Sequence, residues 1–143
     1  MKKILSIFLI LIMCFAFASC AAPSDDGLGE IENPMTVYIS FADAADDDIE
    51  VTGLKEIKKT EFYAEEGATV FEATQVFLIN NNLDYQLSSD GTYLESMLGF
   101  TAGDFDKMAG WIYEVNGEMV MMAASECELE EGDVITWEFR KGM

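Results

Sequence analysis

The chain has 143 residues, 27 of them acidic and 8 basic, giving a formal net charge of −19, and it contains no histidine. That charge excludes a nucleic-acid partner, because a phosphate backbone is held by clustered Lys and Arg. The missing histidine excludes Ser-His-Asp and Cys-His catalysis and the commonest zinc and copper ligand sets, so the residues speak for a non-catalytic protein.

The chain opens with "MKKILSIFLILIMCFAFASC". Basic Lys2 and Lys3, an apolar run and small residues before a cysteine give the order of a secretory signal, with an apolar run too short for a permanent membrane helix. The end, "FASC", resembles a bacterial lipobox, which implies cleavage after residue 19 and acylation of Cys20; an ordinary cleavage site after Ser19 is the alternative. Residues 1–19 are thus expected to be a lipoprotein signal peptide. The mature protein is then exported and anchored to the outer face of a bacterial cell membrane, its first partner being the lipid bilayer, because several acyl chains on one cysteine suffice for stable attachment. Cys14 leaves with the signal and Cys20 takes lipid, so Cys127 remains without an intrachain disulfide partner and reads as a small buried hydrophobe.

Residues 20–34, "CAAPSDDGLGEIENP", are acidic and rich in Pro, Gly and Ser, with little to bury, and read as a flexible tether. The folded domain is expected over residues 35–143. "TVYISFAD" reads as a strand, "DAADDDIEVTG" as an acidic loop and "EIKKTEFYA" as a second strand. A helix follows, with Thr69 as N-cap and Glu72 three residues on in the capping-box pattern. Its apolar stripe combines Val70, Ala73 and Phe77 with Phe71, Thr74 and Leu78, and "NNN" ends it. "LDYQLSS" and "TYLESMLGF" suggest short strands or extended segments around the Asp90-Gly91 turn, and "TAGDFDKMAG" a loop. "DVITWEFR" closes the chain as a strand with Ile135, Trp137 and Phe139 on one face. The expected fold class is α+β: one helix packed on a mixed sheet of four or five strands, β-grasp in type, with an N-terminal hairpin-like pair and a C-terminal hairpin plus closing strand.

"GWIYEVNGEMVMM" supplies that hairpin. Asn116-Gly117 suits a type I′ turn, where both positions need positive φ. This turn would set Val115 opposite Glu118, Glu114 opposite Met119, Tyr113 opposite Val120, Ile112 opposite Met121 and Trp111 opposite Met122. Trp111, Tyr113, Val115, Val120 and Met122 then share one face, and Ile112, Met119 and Met121 share the other with Glu114. One helix covers only one face, so the other is open to a ligand or covered by a loop around residues 101–109.

The hairpin with "SECELEEGDVITWEF" resembles a bacterial domain family related to the C-terminal domain of transcobalamin and intrinsic factor. The matching residues are Gly110, Trp111, Tyr113, Asn116 and Gly117, then Gly132, Asp133, Ile135 and Trp137; "GATVFEA" and "GTYLESMLG" also look like the family's helix start and central segment. The resemblance implies a β-grasp domain that, in the vitamin carriers, closes over one face of a corrinoid. The large helical domain of those carriers has no counterpart here. The resemblance and the aromatic and thioether residue types together point to Trp111, Tyr113, Met119, Met121 and Met122 as ligand-binding candidates, for a small molecule such as a corrinoid or for a protein partner outside the cell. Asn116, Gly117, Gly132 and Asp133 read as turn residues.

A rival site lies in the acidic loop. Asp43, Asp46, Asp47, Asp48 and Glu50 present hard oxygen ligands that suit calcium, although the EF-hand pattern is not met. A calcium-binding or calcium-stabilised surface domain, and an adhesive or structural lipoprotein module acting by protein contact, are the alternatives to a small-molecule binder.

Overall fold

The computed structural model describes residues 30–43, 54, 56–104 and 107–140. Eight strands and one helix follow in the order β1 (Pro34–Asp43), β2 (Ile57–Glu65), α1 (Val70–Asn80), β3 (Tyr85–Leu87), β4 (Leu94–Met97), β5 (Phe100–Thr101), β6 (Gly110–Val115), β7 (Glu118–Met119) and β8 (Val134–Arg140). The main sheet has the order β2-β1-β8-β6-β7. All its neighbours are antiparallel except the central pair β1 and β8, which run parallel with Ile39 beside Ile135 and Phe41 beside Trp137. This is the expected α+β, β-grasp-like arrangement with the larger of the two strand counts. A separate three-stranded sheet, β3-β4-β5, forms from the stretches expected as short strands or extended segments.

The period-2 pattern decides which side of the main sheet is buried. Val37, Ile39 and Phe41 of β1 and Ile135 and Trp137 of β8 are all at most 4% exposed and cluster with the helix residues Val70, Ala73, Phe77 and Leu78, while Phe139, on the same face, is buried with Phe100 and Ala109. The helix starts where the capping box places it. The Thr69 side chain accepts from the Glu72 N–H, and the Glu72 carboxylate accepts from the Thr69 N–H at 2.9 Å. It stops in the asparagine run, where Asn82 takes φ 51°. Thr74 is fully buried on the helix; its hydroxyl donates to the Val70 carbonyl at 2.6 Å and accepts from the Trp137 indole N–H at 2.9 Å. A polar pair inside the core is thereby satisfied at both ends.

The small sheet closes one end of the same core. Leu94 and Met97 belong to the main hydrophobic cluster, while Phe100 packs on Phe139 at 5.6 Å between ring centroids. Among the described residues of the segment around 101–109, Ala109 joins Phe100, Phe139 and Trp111 on the helix side. The outer side of the sheet carries Tyr38 and Ser40 of β1, Ile112 and Glu114 of β6, and Thr136 and Glu138 of β8, all partly exposed. The sheet therefore buries one face on the helix, as alternation in β1 and β8 requires. β1 begins at Pro34, one residue before the boundary read from the sequence.

Candidate functional site

The β6–β7 hairpin turns where the dipeptide Asn116-Gly117 places it, with φ 56° at Asn116 and 80° at Gly117. Val115 pairs with Glu118 and Glu114 with Met119, as the turn dictates. β7 ends at Met119, and the expected Tyr113–Val120 pair keeps one long hydrogen bond, from the Val120 N–H to the Tyr113 carbonyl at 3.5 Å; the ladder goes no further. The expected pairs of Ile112 with Met121 and Trp111 with Met122 therefore do not form as ladder rungs. β6 instead finds its full partner on the other side, where Trp111 to Val115 pair with Phe139 to Ile135 of β8. β8 occupies the opposite edge of β6, so the chain after the turn is not displaced by it; that chain leaves the ladder where Val120 packs against the core and the Tyr113 hydroxyl takes the Met122 carbonyl.

This division separates the five ligand candidates. Tyr113 is 6% exposed and packs on Trp137 at 5.3 Å. Its hydroxyl donates to the Met122 carbonyl at 2.9 Å, which pins the segment after the hairpin to the sheet. Burial is the first cause that pushes the Tyr113 phenol upward, followed by the neighbouring Cys127 and Glu126. Trp111 is half-buried, edge-on to Phe41 and Phe139, and its indole N–H donates to the Phe100 carbonyl at 2.9 Å. Both aromatics thus face the helix side and tie the hairpin to the rest of the domain. The three methionines behave differently: Met119 is 48% exposed, Met121 91% and Met122 51%. Between them Val120 is half-buried against the core.

The turn residues have a wider role than geometry. The Asn116 side chain donates to the Asp133 carboxylate at 2.7 Å and accepts from the Val134 N–H at 3.0 Å. Asp133 in turn accepts from the Glu130 N–H at 2.8 Å, beside Gly132 at φ 87°. Two turns distant in sequence are locked together at one end of the sheet, a link that spacing alone does not reveal.

Other groups lie away from the hairpin. Two surface clefts of about 690 and 600 Å³ flank the β2–α1 turn, edged by carboxylates including Glu66, Glu130 and Glu131 in one and Glu65 and Glu72 in the other. They lie toward the β2 edge, opposite the β7 edge, and contain none of the sequence-predicted residues. Asp90 is held down to about 2 by the Ser88 and Thr92 hydroxyls and the Thr92 N–H, an arrangement that folds its own tight turn. Of the acidic calcium candidates, Asp43 ends β1, while Asp46, Asp47, Asp48 and Glu50 lie outside the described residues, as does Cys20. Among the described residues no group of three or more Cys, Asp or Glu is arranged to hold a metal, and no helix is long and apolar enough to cross a membrane.

The profile of the family described as Domain of unknown function (DUF4430) matches residues 67–141, from the β2–α1 turn through the closing strand. No curated protein matches the sequence. Among solved structures, the fold is similar to that of haptocorrin crystallised in complex with Cbi, with a TM-score of 0.58 and 16% identity over 81% of this chain. This chain spans 27% of the haptocorrin chain. A protein from Ruminococcus gnavus, provisionally described as metal-binding, matches with a TM-score of 0.44 and 20% identity over 78% of this chain and all of that one.

Proposed function

The chain belongs to the DUF4430 family, and we propose that it is a non-catalytic binding module, held on the outer face of a bacterial membrane by acylated Cys20. Its contact surface is the 119–122 segment, and its ligand is a small molecule of the corrinoid class. The observation that carries this reading is the exposure of Met119, Met121 and Met122 next to a hairpin whose aromatics are committed to the interior. Thioether side chains conform to irregular or flat apolar surfaces, and exposed apolar groups in one segment mark a contact site. The haptocorrin fold supports the ligand class, since that protein was crystallised with Cbi. Export and lipid attachment are supported by the order of residues 1–20.

Equilibrium dialysis against cobinamide and cobalamin, followed by the corrinoid's own absorbance, tests the reading. Retention by the wild type, reduced at least about fivefold in Met121→Ala/Met122→Ala, is expected; a fivefold loss corresponds to about 1 kcal/mol of contact. No retention of either corrinoid would sink the assignment of ligand class.

A further inference from the structure

β2 ends the main sheet, and among the described residues no strand pairs with its outer side. The direction of its main-chain groups follows from one hydrogen bond. Glu66 N–H donates to the Asn33 carbonyl at 2.8 Å, and the β1–β2 register runs one for one from Pro34 beside Glu65 to Ile39 beside Thr60. Bonded and non-bonded pairs alternate in an antiparallel ladder. Ala64, Phe62 and Thr60 therefore bond to β1, while Tyr63 and Glu61 turn their N–H and C=O groups outward. An open edge recruits other chains unless it is guarded. The first half of β2 is guarded, because Lys58 and Lys59 stand opposite Ser40 at a bulge in the ladder. The second half, 61–65, runs regular, with Tyr63 57% exposed on the side away from the helix.

On the helix side this half-strand borders the cleft of about 600 Å³. Its floor is apolar: Ala64 and Ala73 are fully buried, and Val76, Ile79 and Tyr85 are half-buried around them. Its rim carries Glu65, Glu66 and Glu72, and no lysine or arginine lines it. Two of these carboxylates are fixed in place. Glu65 accepts from the Glu32 and Asn33 N–H groups, both at 2.9 Å, and Glu72 holds the capping box. On a strand added beside β2, the residue opposite Ala64 points to the same side as Ala64, into the cleft. Lysine and arginine suit an apolar channel that ends in carboxylates, since they bury the aliphatic stem and keep the charged head wet. An acidic segment would instead meet a chain of net charge −19.

We propose that the 61–65 half of β2 and the cleft beside it dock an extended basic segment of another protein. The segment adds as an antiparallel strand and bonds its main chain to Glu61 and Tyr63. One Lys or Arg lays its stem over Ala64, Val76 and Ile79 and sets its charge among Glu65, Glu66 and Glu72. The site lies at the opposite edge of the sheet from β7 and is independent of the role given to the 119–122 segment.

The test is fluorescence anisotropy of a labelled peptide alternating valine and lysine, titrated with the full-length chain in detergent. Binding is expected, weakened roughly tenfold in Glu66→Gln/Glu72→Gln, where glutamine at 72 still suits the capping box. A peptide of the same composition with its lysines in one block keeps the charge and loses the alternation, so it should bind at least about tenfold more weakly. Methylating the valine amides, which face β2, should abolish binding; methylating the lysine amides, which face away, should leave affinity within about twofold. Tyr63→Pro should act like valine methylation, because the N–H it removes points outward and the bonds to β1 survive. The peptide series reads the same contact even if that variant fails to fold. Absence of binding, or equal affinity for the block or valine-methylated peptide, would overturn the proposal. So would unchanged binding in Glu66→Gln/Glu72→Gln, or its loss in Met121→Ala/Met122→Ala. Self-association of the chain that disappears in Tyr63→Pro would make the occupant a second copy, and would overturn it as well.

Discussion

Tyr113 carries two jobs with one side chain. Its ring sits against Trp137 in the core, and its hydroxyl holds the Met122 carbonyl. Ionising it would place a charge in a buried site and remove the donor, so the proton is held above its ordinary 10.0. The consequence for stability has a definite sign. A group whose folded pKa is raised stabilises fully below its unfolded value and loses that contribution as pH climbs beyond it. The urea midpoint of the wild type should therefore fall as pH rises above about 10, and Tyr113→Phe should flatten that decline while being about 1 kcal/mol less stable at pH 7. A wild type and variant with parallel pH profiles would contradict the assignment. The same residue shows where sequence reading stops. Tyrosine in a hairpin motif signals contact, but whether the contact is a ligand or the domain's own chain depends on where the chain after the turn leaves the ladder.

Among the elements, the helix and the Asn116-Gly117 turn were legible because their signals are local. A capping box and a left-handed dipeptide need no knowledge of the rest of the chain. The outcome on the far side of the hairpin was not legible for the converse reason. The chain after Met119 could pair with β6 or leave it, and the decision is made by packing of Val120 and the Tyr113 bond to Met122. The three-stranded β3-β4-β5 sheet was similarly hidden, since its strands have three, four and two residues and too few alternations to declare a face. At the hairpin turn the structure makes a quantitative demand. Gly117 lies at φ 80° with open space where a Cβ would project, so the cost of a side chain is conformational. Gly117→Ala should cost about 1–2 kcal/mol in chemical denaturation, while Gly110→Ala, which has an ordinary φ and meets the Ala102 Cβ only at 3.9 Å, should cost less. Equal losses at the two positions would show that strain at the turn is not the cause.

At the scale of the whole molecule the charge and the topology work against each other. A net charge of −19 repels itself in the compact state, and among the described residues one ion pair, Arg140 with Glu138 at 2.6 Å, offsets little of it. Added salt shortens the range of that repulsion from roughly 30 Å at 0.01 M to about 8 Å at 0.15 M. The melting temperature should rise by several degrees over that interval of sodium chloride, and a fall would mean that ion pairing dominates. Topology holds the sheet through its middle, where Ser40 and Thr136, hydroxyls 96 positions apart, meet at 3.1 Å. The expectation of a mixed sheet came from the single helix and the strand count. The identity of the parallel pair could not be read, because strands separated by nearly the whole domain leave no local trace of their pairing.

That central pair has a mechanical meaning. β1 enters and β8 leaves at opposite ends of two adjacent parallel strands, with six backbone positions in register between Tyr38 and Asp43. A pull applied through the chain before β1 and resisted beyond β8 loads the rungs side by side, in shear, so that they must break together instead of unzipping in turn. A domain fixed at one end to a surface and gripped near the other would meet tension along its strongest direction.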